Sequence, residues 1–148
     1  MSADYPSMTT AEIRSKFINF FEERGLKLYP SSSLVPDDPS LLLANAGMNQ
    51  FKEYYQGKKT MKEIGAISCQ KCVRTNDIDC IGEDGRHLSF FEMLGDFSFG
   101  GVSKEQACAW AFELITKEFK LPLDRLYFTV FTEDDETHDV WRSLGVAE

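Results

Sequence analysis

Apolar residues at Ile13, Phe17, Phe20 and Phe21 recur with the i, i+4, i+7, i+8 spacing of one helix face. Thr9 with Glu12 sets a capping box ahead of them, and Gly25 supplies a C-terminal stop. The pattern predicts an amphipathic helix of about four turns. Residues 26–30 read as extended, and the prolines at 30, 36 and 39, with the serines and aspartates around them, punctuate a loop. Residues 41–44 form a buried strand candidate, and 50–56 turn helically. The longest strand-like stretches are 64–74 and 87–99, which read as an antiparallel pair around a loop rich in Asp, Glu and Gly. Ser103 with Gln106 makes a second capping box, and Ala107, Trp110, Ala111, Leu114 and Ile115 line a helix face that ends before Pro122. Residues 126–132 are β-rich, and a short helix over 134–143 precedes Gly145. The order favours an α+β fold, an antiparallel sheet flanked by helices, over a doubly wound parallel sheet. Residues 1–8 are expected to be a loose tail and 9–148 one folded portion, with no repeat or internal linker.

Composition narrows the class. With 148 residues, 43% hydrophobic and 13% aromatic, the chain can bury a core, and no apolar run approaches a membrane span. No signal peptide is visible at the start, so a cytoplasmic protein is expected. The formal net charge of −8 argues against nucleic acid as a major partner of this stretch by itself. Lys58, Lys59 and Lys62 cluster after Gly57 and read as a solvated face, whereas Lys71, Arg74 and Arg86 bracket the loop between the two long strands.

Residues 69–100 carry the chemistry. A strand ends in Arg74, an acidic loop follows, and the next strand opens with His87 and carries Phe90 and Phe91. A planar guanidinium can clamp a phosphate or carboxylate with a fork that lysine lacks. His87 can donate to further phosphate oxygens, and a phenylalanine face can meet a base. Together these are the requirements of a nucleoside triphosphate. A salt bridge from Arg74 to Asp77 or Asp79 is the bland alternative.

The same residues resemble motif 2 of the class II aminoacyl-tRNA synthetases: an arginine closing one strand, a loop, then His-x-x-x-Phe from His87 to Phe91. The runs at 31–51, 69–74 and 86–100 are similar, in order and in register, to the amino-terminal part of the alanyl branch of that family. Residues 10–44 resemble motif 1, a helix and strand often found at a dimer interface, which implies possible self-association. The resemblance implies an antiparallel sheet that binds ATP, as its Mg²⁺ complex, together with alanine. Activation to alanyl-adenylate and transfer to tRNA(Ala) would follow. It gives Arg74 the α-phosphate and the substrate carboxylate, His87 the β- or γ-phosphate, and Phe91 the adenine face. Phe90 is then a core residue, although a bulge would exchange the two. Glu92 and Met93 would meet the adenine edge through side chain or backbone, with plain strand packing as the equal alternative. Met48 would rim the alanine pocket, or else fill the core.

The loop departs from the family in two respects, one residue identity and its length. Asn76 stands where the generic motif has a glutamate, and the loop is short, without a Gly-Lys-His insertion. Asp77, Asp79, Glu83 and Asp84 make it acidic; a solvated loop is expected, with help in placing Mg²⁺ as the other reading. Cys69 and Cys72 are spaced like half a zinc site, but residues three apart on a strand face opposite ways. With Cys80 and Cys108 they are expected to be reduced thiols, with no zinc in this segment.

Nothing here resembles motif 3, the Gly-rich stretch ending in an arginine. The expectation is therefore the amino-terminal portion of a longer ligase, weak or inactive by itself. A stand-alone synthetase-like module that binds a nucleotide or a protein is the alternative, and an ATP titration separates it from a purely structural partner.

Overall fold

The computed structural model describes residues 7–75 and 78–147. They form two compact units, one of residues 21–101 and one of the described residues up to 20 together with those from 102 onward.

Helix α1 (Thr10–Glu22) starts where the sequence places it. Thr9 Oγ1 accepts from the Glu12 amide, while Glu12 accepts from the Thr9 amide and hydroxyl, satisfying donors that a helix start leaves open. Gly25, at φ +85°, ends it, a conformation that costs a glycine little. Phe17, Phe20 and Phe21 are all buried, as the spacing requires.

In the unit of residues 21–101, the short strand β1 (Lys27–Leu28) lies beside β2 (Gly65–Val73), which pairs with β3 (Phe90–Ser98). The β2–β3 pair is antiparallel from Gly65↔Ser98 to Val73↔Phe90. β1 runs parallel to β2, so the sheet is mixed where an antiparallel one was expected. The long excursion between β1 and β2 is what a parallel neighbour requires. It contains a 3₁₀ turn (Gly47–Phe51) that passes directly into helix α2 (Lys52–Tyr55), the helical turning expected over 50–56. Phe51, 1% exposed, sits within 4.8 Å of the Phe97 ring and 5.4 Å of Tyr29 (centroid distances), and Phe99 joins through Tyr55 at 4.8 Å. This aromatic cluster fastens the excursion onto β3.

Residues 41–44 are not a strand. Asp38 accepts from the Ser40 amide and hydroxyl, and the Leu41 amide donates to the Asp38 carbonyl, so a turn occupies the start of the segment. Leu42 is 88% exposed; Ala44 is buried and makes isolated backbone bonds to Leu34 and Val73.

In the other unit, Ser103 caps α3 (Lys104–Glu113) by accepting from the Gln106 amide, and the helix continues through a π turn (Leu114–Glu118). Asp134 caps α4 (Asp135–Ser143). Between them, residues 126–132 form no strand. Phe128 is held by rings, 4.9 Å from Trp141 and 5.9 Å from Phe112, while Tyr127 is 94% exposed. β-propensity yields a strand only beside a ladder partner, and this segment has none among the described residues. No helix among the described residues is long and apolar enough to cross a membrane.

Candidate functional site

Cross-strand register decides which side chains share a face. Residues opposite each other in an antiparallel pair point the same way, so Gln70 and Cys72 of β2 share a face with Met93 and Phe91 of β3. Lys71 and Val73 share the other face with Glu92 and Phe90. The face carrying Phe91 and Met93 is the one on which the loop of residues 45–48 sits.

Arg74 follows the last rung of β2, and its amide donates to the Ser89 carbonyl at 2.9 Å, closing the ladder. Its guanidinium carbon lies 5.2 Å from the centroid of the Phe91 ring, within cation–π range. Arg74 Nε donates to the Asn45 carbonyl at 3.0 Å. That bond uses one of the five guanidinium donors, so ring and carbonyl together fix the plane of the fork. Arg74 is exposed, and Phe91 is half-buried beneath it.

A second pin holds the same loop. The Gly47 amide donates to Met93 Sδ at 3.2 Å. A Cβ at Gly47 would come within 3.1 Å of Phe97 Cζ, tighter than an ordinary contact, so the close seat of this loop favours glycine. Met48 follows at the rim, 46% exposed. Beneath lies Gln70, fully buried: its Oε1 accepts from the Ser32 amide, the Ser32 hydroxyl and Gln50 Nε2 at 2.8, 3.0 and 3.1 Å. Its Nε2 donates to the Ser32 and Lys71 carbonyls.

His87 stands just ahead of β3, with its Nδ1 2.6 Å from Asp84 Oδ2. Asp84 Oδ1 accepts from the amides of Arg86 and His87 at 2.9 and 3.0 Å. Those two amides, then the imidazole, hold the Asp84 carboxyl down to about 2.

The structure thus brings together Arg74, Phe91, Met93 and the loop that carries Met48. It sets His87 with Asp84, and puts the Glu92 side chain on the opposite face. Phe90 is not a core residue: it is 52% exposed, because it opens β3 at the rung where the ladder ends. Asp79 and Glu83 are exposed, while the positions assigned to Asn76 and Asp77 lie outside the described residues. Cys72 is buried, which raises its thiol, and Cys69 faces the other way; Cys80 is exposed and Cys108 buried. Among Lys58, Lys59 and Lys62, Lys59 pairs with Glu53.

The sequence reading missed Gln70, Asn45 and Asp84 as partners. Gln70 left a signal, a lone amide in an apolar strand, where burial demands partners. Asn45 acts through its backbone carbonyl, which side-chain identity cannot reveal.

Comparison with known proteins covers nearly the whole chain. A family profile described as tRNA synthetases class II (A) matches residues 12–148. The chloroplastic/mitochondrial alanine–tRNA ligase of Sorghum bicolor is 53% identical over 135 residues, 90% of this chain and 14% of the relative. The alanine–tRNA ligase of Synechocystis sp. is 51% identical over 147 residues, 99% of this chain and 17% of the relative. That of Fervidobacterium nodosum is 48% identical over 141 residues, 95% and 16% respectively. The chain therefore spans between 14% and 17% of the length of these relatives.

Proposed function

The chain belongs to the class II (A) tRNA synthetases, and we propose that it is the motif 1 and motif 2 portion of an alanine–tRNA ligase. The observation that carries the reading is the placement of Arg74, oriented by Phe91 and by the Asn45 carbonyl, at the mouth of the β2–β3 pair. About half-identity to proteins named alanine–tRNA ligases supports the choice of amino acid.

In this reading ATP enters as its Mg²⁺ complex. A carboxylate oxygen of alanine attacks the α-phosphorus, the bond to the bridging oxygen breaks, and pyrophosphate leaves. A terminal ribose hydroxyl of tRNA(Ala) then attacks the alanyl carbonyl, and AMP leaves. No side chain acts as nucleophile; the protein aligns the reactants and offsets the charge that gathers on the α-phosphoryl group. Arg74 is the preplaced cation for that group and for the incoming carboxylate, which is the catalytic role. Phe91 offers adenine the part of its ring that Arg74 leaves open. His87 meets the β- or γ-phosphate. Met93 and the backbone beside Glu92 border the adenine edge, and Met48 rims the alanine pocket.

The reading carries with it a cytoplasmic protein and pairing of two chains through the motif 1 helix. It also holds that these 148 residues alone adenylate alanine weakly or not at all. Alanine-dependent ATP–pyrophosphate exchange tests it at the protein's natural length. Exchange with alanine that is lost in Arg74→Ala is expected; exchange that needs no alanine, or survives the substitution, would overturn it.

A further inference from the structure

Asp84 has no role in the reading above, yet its carboxylate is the most fully engaged among the described acids of the loop. One oxygen accepts two successive backbone amides, from Arg86 and His87. The other lies 2.6 Å from Nδ1 of the His87 ring. Gly82 and Gly85, at φ +91° and +67°, supply the turns that bring this acid back onto the histidine.

We infer that Asp84 is a positioning residue for His87: it holds Nδ1–H, fixes the ring, and leaves Nε2 as the atom offered to an ATP phosphate. The inference rests on the reading of His87 as a phosphate ligand. The chemistry follows from the two ring nitrogens. A carboxylate accepts only, so the nitrogen facing it is the one that carries hydrogen. The neutral ring then has a bare Nε2, and it meets a phosphate oxygen as the imidazolium, with Asp84 on one side and the phosphate on the other. Such a pairing gives a charge-assisted bond, roughly twice as strong as a neutral one. Asp84 is a carboxylate at neutral pH like any aspartate, and the backbone amides of Arg86 and His87 hold it lower still, so it remains a pure acceptor beside the ring.

The pair is exposed, 44% for the His87 side chain and 42% for Asp84, so it contributes little to stability and can be altered without unfolding the chain. Asp84→Asn is the discriminating variant. Its amide oxygen can still accept the backbone amides of Arg86 and His87, preserving the turn, but its NH₂ group cannot accept from Nδ1. It should donate to Nδ1 instead and reverse the tautomer.

The protein at its natural length, labelled with ring-¹⁵N histidine and with the His87 signals identified by loss in His87→Gln, reads this directly. In the unliganded protein the expected neutral form of His87 carries its proton on Nδ1, and Asp84→Asn moves it to Nε2. A tautomer that the substitution leaves unchanged overturns the inference. In ATP–pyrophosphate exchange, Asp84→Asn should raise KM for ATP several-fold with kcat little changed, because a neutral Nε2–H donor replaces the charge-assisted imidazolium bond, roughly twice as strong. A KM unchanged in Asp84→Asn but raised in His87→Ala overturns the positioning role alone. A KM unchanged in both overturns the phosphate reading of His87, and the inference falls with it.

Discussion

Arg74 is held by contacts of two kinds, a ring face and a carbonyl, and each uses a property that lysine does not have. The guanidinium stacks as a plane and donates in that plane. Arg74→Lys keeps the charge but loses the bond from Nε to the Asn45 carbonyl and the preset fork. We expect kcat/KM for alanine activation to fall at least about a hundred-fold, the scale on which removing one preorganised donor acts. Steady-state exchange kinetics check it, and near-normal activity in Arg74→Lys would mean that charge alone suffices. Gln70 makes a second residue-scale case. Gln70→Leu would leave the Ser32 amide, the Ser32 hydroxyl and Gln50 without their buried acceptor. The expected cost is about 1–3 kcal/mol, measurable by urea unfolding, and an unchanged midpoint would refute it. At this scale the sequence pointed to Arg74 and Phe91 as neighbours around one hollow, and the two side chains do lie together there, although the contact between them was not read from it. The sequence was silent where backbone carries the contact, as at Asn45 and Gly47.

Elements with self-contained signals were readable. The capping box of Thr9 with Glu12 forms in full, and at Ser103 the half in which the hydroxyl accepts from the Gln106 amide forms, because these hydrogen bonds lie within a few residues. The β2–β3 pair was readable from two long strand-like stretches joined by one loop. Residues 41–44 and 126–132 were misread as strands, since a strand is defined by a neighbour that no local pattern supplies. The parallel run of β1 against β2 was invisible for the same reason. Two substitutions test the element scale. Ser103→Ala should lower stability by about 1 kcal/mol through loss of the α3 cap, read from thermal unfolding followed by circular dichroism. Gly95→Ala should cost more. A Cβ on Gly95 would lie 2.5 Å from Phe97 Cζ, and the ring cannot swing away freely because Phe51 packs at 4.8 Å. We expect about 1–3 kcal/mol, with loss of the near-ultraviolet signal of the aromatic cluster. A folded variant with that signal intact would show that the ring has somewhere else to go.

For the molecule as a whole, the net charge of −8 makes acid the informative perturbation, since carboxylates dominate its titration. Asp134 isolates one contribution. Lys104 at 2.9 Å, then Thr137 through its hydroxyl and amide, hold its carboxyl down to about 2. An unfolded aspartate titrates near 3.9. A carboxyl depressed by folding stabilises the native state above its unfolded value, and that contribution disappears as pH falls through the folded value. Asp134→Asn retains a capping oxygen for the Thr137 amide but removes the negative charge, leaving Lys104 its second partner, Glu136 at 3.0 Å. The variant should therefore melt below the parent by a margin that is constant from about pH 7 to pH 5. That margin should close between about pH 4 and pH 2, because protonation makes the parent resemble the amide. Melting temperatures of the two proteins across that range decide the matter. A margin that persists undiminished at the acid end would assign the difference to the Thr137 hydroxyl, which donates to an Asp134 oxygen that the amide NH₂ replaces, and the ion pair with Lys104 would carry none of the stability.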